Sequence, residues 1–99
     1  MRLTEQQLTA IKSAICEITG SESRVWLFGS RVDDSKRGGD IDLLIESDEV
    51  IPNLVELLCK LEARLVRSLG DQKLDLLLKD ANTHDSPITE AARKGGILL

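Results

Sequence analysis

Residues 28–46 read "FGSRVDDSKRGGDIDLLIE". A Gly-Ser turn is followed by a charged loop, and Asp40 and Asp42 then lead into the aliphatic run Leu43-Leu44-Ile45. The segment before it, Arg24 to Phe28 ("RVWLF"), is β-branched and aromatic enough for a strand. A second strand runs from Asp40 to about Ser47. Positions 31–39 are too few for a parallel crossover, which takes a dozen or more residues, so the two strands are expected to pair antiparallel. Gly29-Ser30 then lies beside Asp40. Asp40 and Asp42, two residues apart on a strand, point to one face. Aspartate is disfavoured in strands. Leu43, Leu44 and Ile45 are apolar on both faces, so this strand is largely buried and a solvated edge does not account for its carboxylates.

Working outward, Thr4 followed by Gln7 reads as a capping box, and Leu8, Ile11, Ile15 and Ile18 recur at helical spacing until Gly20. Ser47 or Asp48 is expected to open a second helix, with Pro52 in its first turn and Leu54, Leu57, Leu58, Leu61 and Leu65 as its buried stripe; Gly70 ends it. A third strand, "QKLDLLLK", covers 72–79. Ser86-Pro87 opens a short helix through about Lys94, stopped by Gly95-Gly96, with Ile97-Leu98-Leu99 left over. The order α-β-(turn)-β-α-β-α describes an α/β (α+β) domain: a small mixed sheet with helices packed on it.

A chain of 99 residues is expected to form a single domain, 1–99. The longest apolar runs are a few residues, too short for a membrane span, and Met1 to Gln6 has no signal-peptide character. The cytoplasm is the default compartment. Cys16 and Cys59 read as small buried side chains, Trp26 as core. One histidine, His84 in a polar loop, and no cysteine pair give zinc no ligand set. A net charge of −4 and an aromatic content of 2% argue against a surface that grips nucleic acid or stacks bases.

The local grammar repeats: "IDLLI" at 41–45 and "LDLLL" at 74–78. The link between those strands holds a full helix, which permits parallel pairing. If they are adjacent and parallel, Asp40, Asp42 and Asp75 converge with the Gly-Ser turn at one end of the sheet. Such carboxylates repel unless a cation or shared protons intervene. Magnesium fits, since it takes oxygen ligands from one or two carboxylates together with substrate phosphates. Gly29-Ser30 offers backbone N–H groups, a hydroxyl and an unobstructed approach for phosphate. Arg31, Lys36 and Arg37 add positive charge. Together these parts describe metal-assisted phosphoryl or nucleotidyl transfer. No G-x-x-x-x-G-K-[ST] is present, "DIDLLIESDE" lacks the ligands and glycine of a calcium loop, and "FGSRV" does not match G-x-S-x-G.

"LFGSRVDDSKRGGDIDLLIE", with a third aspartate on a later strand, resembles the signature of the DNA polymerase beta-like nucleotidyltransferase superfamily. The resemblance spans 26–78, and the closing "PITEAARKGGILL" is similar to the end of its small bacterial members, the minimal nucleotidyltransferases, which keep only the catalytic palm. It implies that Gly29 and Ser30, with Arg31, hold the phosphates of ATP or another nucleoside triphosphate. Asp40 and Asp42 would bind two catalytic magnesium ions. Asp75 would complete the metal site and help deprotonate the incoming hydroxyl. Many members read Gly-Ser-x-Ala-Arg-Gly where this chain has Val32-Asp33-Asp34, and Gly39 stands where serine is frequent. The resemblance also implies a partner. Minimal nucleotidyltransferases are typically encoded with a small helical HEPN-domain protein resembling an RNase toxin, and act as its antitoxin, some by moving AMP from ATP to a tyrosine hydroxyl of the toxin. The expected function is therefore magnesium-dependent transfer of AMP to a partner protein, in a hetero-oligomer. The alternative is a binding antitoxin that neutralises by contact, for which "GGILL" and the Leu-rich helix would supply an apolar surface.

Overall fold

The computed structural model describes residues 3–20, 23–32, 40–70 and 72–99; the side chain of Ser30 also lies outside the description. Among those residues there are three helices, α1 (Glu5–Thr19), α2 (Leu54–Leu69) and α3 (Pro87–Gly95). Four strands, β1 (Arg24–Phe28), β2 (Ile41–Glu46), β3 (Leu74–Lys79) and β4 (Ile97–Leu98), form one sheet in the order β3-β2-β1-β4. β1 pairs antiparallel with β2 and β4, while β2 and β3 are parallel. The sheet is mixed and helices cover it, as the pattern of elements predicts.

Alternation along the strands sends Val25, Leu27, Ile41, Leu43 and Ile45 to one face, where they pack with Ile11, Ala14 and Ile15 of α1 and Leu61 and Leu65 of α2. Each fully buried Leu or Ile of this cluster stabilises the fold by about 1.5–3 kcal/mol before entropy is counted. Thr4 caps α1 reciprocally: its hydroxyl accepts from the Gln7 N–H at 3.0 Å, and the Gln7 side chain accepts from the Thr4 N–H at 3.0 Å. The opposite face carries Trp26, Phe28, Asp42, Leu44, Glu46, Asp75 and Lys79. α3 packs there against β1 and β2, and Leu44 and Ala92 are buried outside the main cluster. α3 thus covers only part of that second face.

Four expectations need correction. First, α2 starts at Leu54, not near Ser47: Asn53 is the cap, its side chain accepting from the Glu56 N–H at 3.0 Å, and Pro52 precedes it. Residues 47–51 stay non-helical because they are tied to the end of β3. Ser47 N–H donates to Lys79 O at 2.8 Å, Ala81 N–H to Glu49 O at 3.2 Å, and Ile51 N–H to the buried Asp80 carboxylate at 2.8 Å. Second, Ile97 and Leu98 form β4 opposite Leu27 and Trp26 instead of trailing free, and Leu99 N–H donates to Val25 O at 2.9 Å. Gly96 makes this possible, since a Cβ there would meet the Leu27 carbonyl oxygen at 2.9 Å.

Third, Cys16 and Cys59 are exposed. Cys16 is one residue past the inward stripe of α1 (Ile11, Ala14, Ile15), and Cys59 lies off the Leu61–Leu65 face of α2. Fourth, Trp26 is only half-buried, and its Nε1–H donates to Glu46 Oε1 at 2.6 Å. Glu46, 4% exposed, also receives Arg93 Nη2 at 2.7 Å, so a buried carboxylate ties α3 to the sheet.

Candidate active site

The end of the sheet beyond α3 is assembled by register. Phe28 pairs with Asp42 across β1–β2, and Asp42 pairs with Asp75 across β2–β3. Gly29 therefore follows directly on the residue opposite Asp42. It takes φ +76°, in the left-handed region open to glycine, and opens a short 3₁₀ turn, Gly29–Val32. A Cβ at this position would collide with Asp42 Oδ2 and stand 3.0 Å from its Cγ. Two demands thus select glycine here: the backbone angle and the carboxylate lying against it.

Asp42 is half-buried and Asp75 exposed. The Asp42 carboxyl is pushed up to about 6, first by burial, then by its hydrogen bond to Asp75 and by the charges of Asp75 and Asp40, with Lys73 pulling the other way. Two adjacent carboxyls that share a hydrogen bond need a proton between them, and a cation can take that proton's place. The donor set consists of hard oxygen atoms, partly open to solvent, which suits magnesium. Asp40, Asp42 and Asp75 are the residues that would hold it. Asp40 faces Lys73, whose Nζ lies 3.9 Å from Asp40 Oδ2. Among the described residues no group of three His, Cys, Asp or Glu side chains is drawn together into a ready metal cage.

Arg31 braces this end of the sheet. Its Nε–H donates to Asp40 O at 3.2 Å and its Nη2 to Gln72 Oε1 at 2.9 Å, joining the starts of β2 and β3. Ser30 is the second residue of the 3₁₀ turn, beside Asp42's neighbour Gly29. Lys36, Arg37, Asp33, Asp34 and Gly39 lie outside the described residues. Gln72 and Lys73 were not singled out in the sequence. The signal for Lys73 was the repeated grammar itself: if "DID" aligns with "KLD", Lys73 must stand opposite Asp40.

A model of the nucleotidyltransferase domain matches residues 8–94, nearly the whole chain. The chain belongs to the nucleotidyltransferase domain family. No curated protein matches it. Membership in the nucleotidyltransferase family implies nucleotidyl transfer in general, with a nucleoside triphosphate as substrate. The family generally uses divalent metals. No helix among the described residues is long and apolar enough to cross a membrane.

Proposed function

We propose that this domain transfers AMP from magnesium-ATP to a hydroxyl group of a partner protein, and that the partner is a HEPN-domain toxin which the modification silences. The observation that carries the catalytic part is the rung Asp42–Asp75 with the Gly29 backbone pressed against Asp42. Gly29, Ser30 and Arg31 hold the triphosphate, the first two through backbone N–H groups and a hydroxyl, the last through its guanidinium. Asp40, Asp42 and Asp75 hold magnesium, which when bound supplies charge stabilisation at the α-phosphate. The acceptor oxygen forms a bond to the α-phosphorus, the α–β bridging P–O bond breaks, and pyrophosphate leaves. Asp75, the more exposed of the paired carboxylates, takes the proton from the acceptor hydroxyl.

The partner assignment rests on the resemblance to minimal nucleotidyltransferases. The chain contains no tyrosine, so a nucleotide recovered on a phenolic oxygen belongs to the partner and not to self-modification. The test is incubation with α-labelled ATP, magnesium and a HEPN-domain protein encoded beside it. Label on the partner, lost with Asp42→Asn, is the expected result. Absence of label from wild type, or equal label with Asp42→Asn, overturns the enzymatic reading. An Asp40→Asn/Asp42→Asn variant that still neutralises the toxin would assign neutralisation to contact instead.

A further inference from the structure

We infer that Lys73 is a tethered cation that weakens divalent-ion binding until a polyphosphate arrives, so that metal uptake by this site depends on nucleotide. The inference rests on the reading of Asp40, Asp42 and Asp75 as metal ligands. Lys73 stands one residue before β3, and its backbone is fixed there because its carbonyl accepts the Ile41 N–H at 2.9 Å. It therefore occupies the rung of Asp40, next to the Asp42–Asp75 rung, on the same face of the sheet. Its ammonium lies 3.9 Å from Asp40 Oδ2, and its charge also acts on Asp42. Two of the three carboxylates thus feel a positive charge that the protein itself supplies.

The lysine side chain is 74% exposed. A pair so open to water is loosely held and easily exchanged. A divalent ion approaching Asp40 must displace the ammonium and then remain within a few ångströms of it. That repulsion opposes binding of the bare ion. A nucleoside triphosphate brings several negative charges to the same end of the sheet and offers the ammonium another partner. The penalty on the metal then falls, and by linkage the metal favours the nucleotide to the same degree. The mobile stem suits this exchange better than a rigid guanidinium fork would.

The test is Mn2+ binding to the full chain, followed by calorimetry and by the paramagnetic signal of free Mn2+, with and without a non-hydrolysable ATP analogue. Lys73→Met should tighten binding of Mn2+ alone by about three- to tenfold, the range for removing one unit charge close to a divalent ion in a largely aqueous setting. Lys73→Arg should stay within about twofold of wild type, because it keeps the charge. With the analogue present, the gap between wild type and Lys73→Met should close. Equal affinities of wild type and Lys73→Met without nucleotide, or a gap that persists with it, overturn the role of Lys73. If Asp42→Asn abolishes Mn2+ binding while Lys73→Met changes nothing, only the lysine inference fails. If no variant binds Mn2+, or Asp42→Asn binds it like wild type, the metal reading fails and the inference with it.

Discussion

Asp42 and Asp75 are register partners on neighbouring parallel strands, side by side on the sheet face that α3 leaves partly open. Like charges placed directly opposite one another in a sheet are unfavourable. The metal-free protein relieves this by keeping Asp42 protonated up to about 6, against 3.8 for an ordinary aspartate. The folded state thus binds that proton more tightly than the unfolded chain. The resulting stability is fully present below the unfolded value and is lost as pH rises through about 6. Urea unfolding in a chelator should show the stability of wild type relative to Asp42→Asn falling between about pH 4 and about pH 7. At neutral pH the variant should be more stable than metal-free wild type by on the order of 1 kcal/mol, while losing transferase activity.

Gly29 carries two separable constraints. Gly29→Ala should destabilise by about 1–3 kcal/mol, through the positive φ and through the collision with the Asp42 carboxylate. In an Asp42→Ala background only the backbone part remains, so the two changes should be non-additive, with the double variant less destabilised than the sum. Urea denaturation of the four proteins in the cycle measures this. Strict additivity would show that the carboxylate does not lie against residue 29.

At the far end of the same face, Glu46 is buried among Arg93, Trp26 and Arg24. Burial alone would raise its carboxyl, but hydrogen bonds from Arg93 and Trp26 and the charges of Arg93 and Arg24 outweigh it and hold the group below its usual range. Arg93→Met takes the closest ion-pair partner from the buried carboxylate and leaves it Trp26 and Arg24; Arg93→Met/Glu46→Leu removes the charge with its partner. The single variant should be the less stable of the two, because an under-compensated buried charge is worse than none. Trp26, the only tryptophan of the chain, reports the transition by fluorescence. Trp26→Phe, followed by circular dichroism, should lose about 1.5–3 kcal/mol with the charged hydrogen bond.

The two thiols give a simpler check. Cys16 and Cys59 are exposed on α1 and α2, so both should react with a thiol reagent in the native protein without denaturant. Protection of either until unfolding would place that residue in the core.

The architecture was legible where short-range constraints are severe. A linker of 31–39 cannot cross over, so β1 and β2 had to be antiparallel, and the capping box at Thr4–Gln7 and the Ser86-Pro87 start mark α1 and α3. The parallel pairing of "IDLLI" with "LDLLL" was conditional in the sequence and is direct in the fold. Partnerships between distant residues are not legible in any local segment. Nothing local in "ESDEV" or "EAARK" says that Glu46 and Arg93 will meet. The start of α2 was misplaced for a similar reason: Asp80, far along the chain, accepts the Ile51 N–H and keeps 47–51 out of a helix.

By itself the sequence determined which acidic residues stand in the strands and that Asp40 and Asp42 share a strand face, because alternation is a property of the extended backbone. The tertiary structure alone decided that Asp75 stands opposite Asp42 and Lys73 opposite Asp40, and that α3 leaves this end of the face uncovered. Register between strands separated by a helix is set by how α2 and the aliphatic faces pack, and that packing is not written in any one segment.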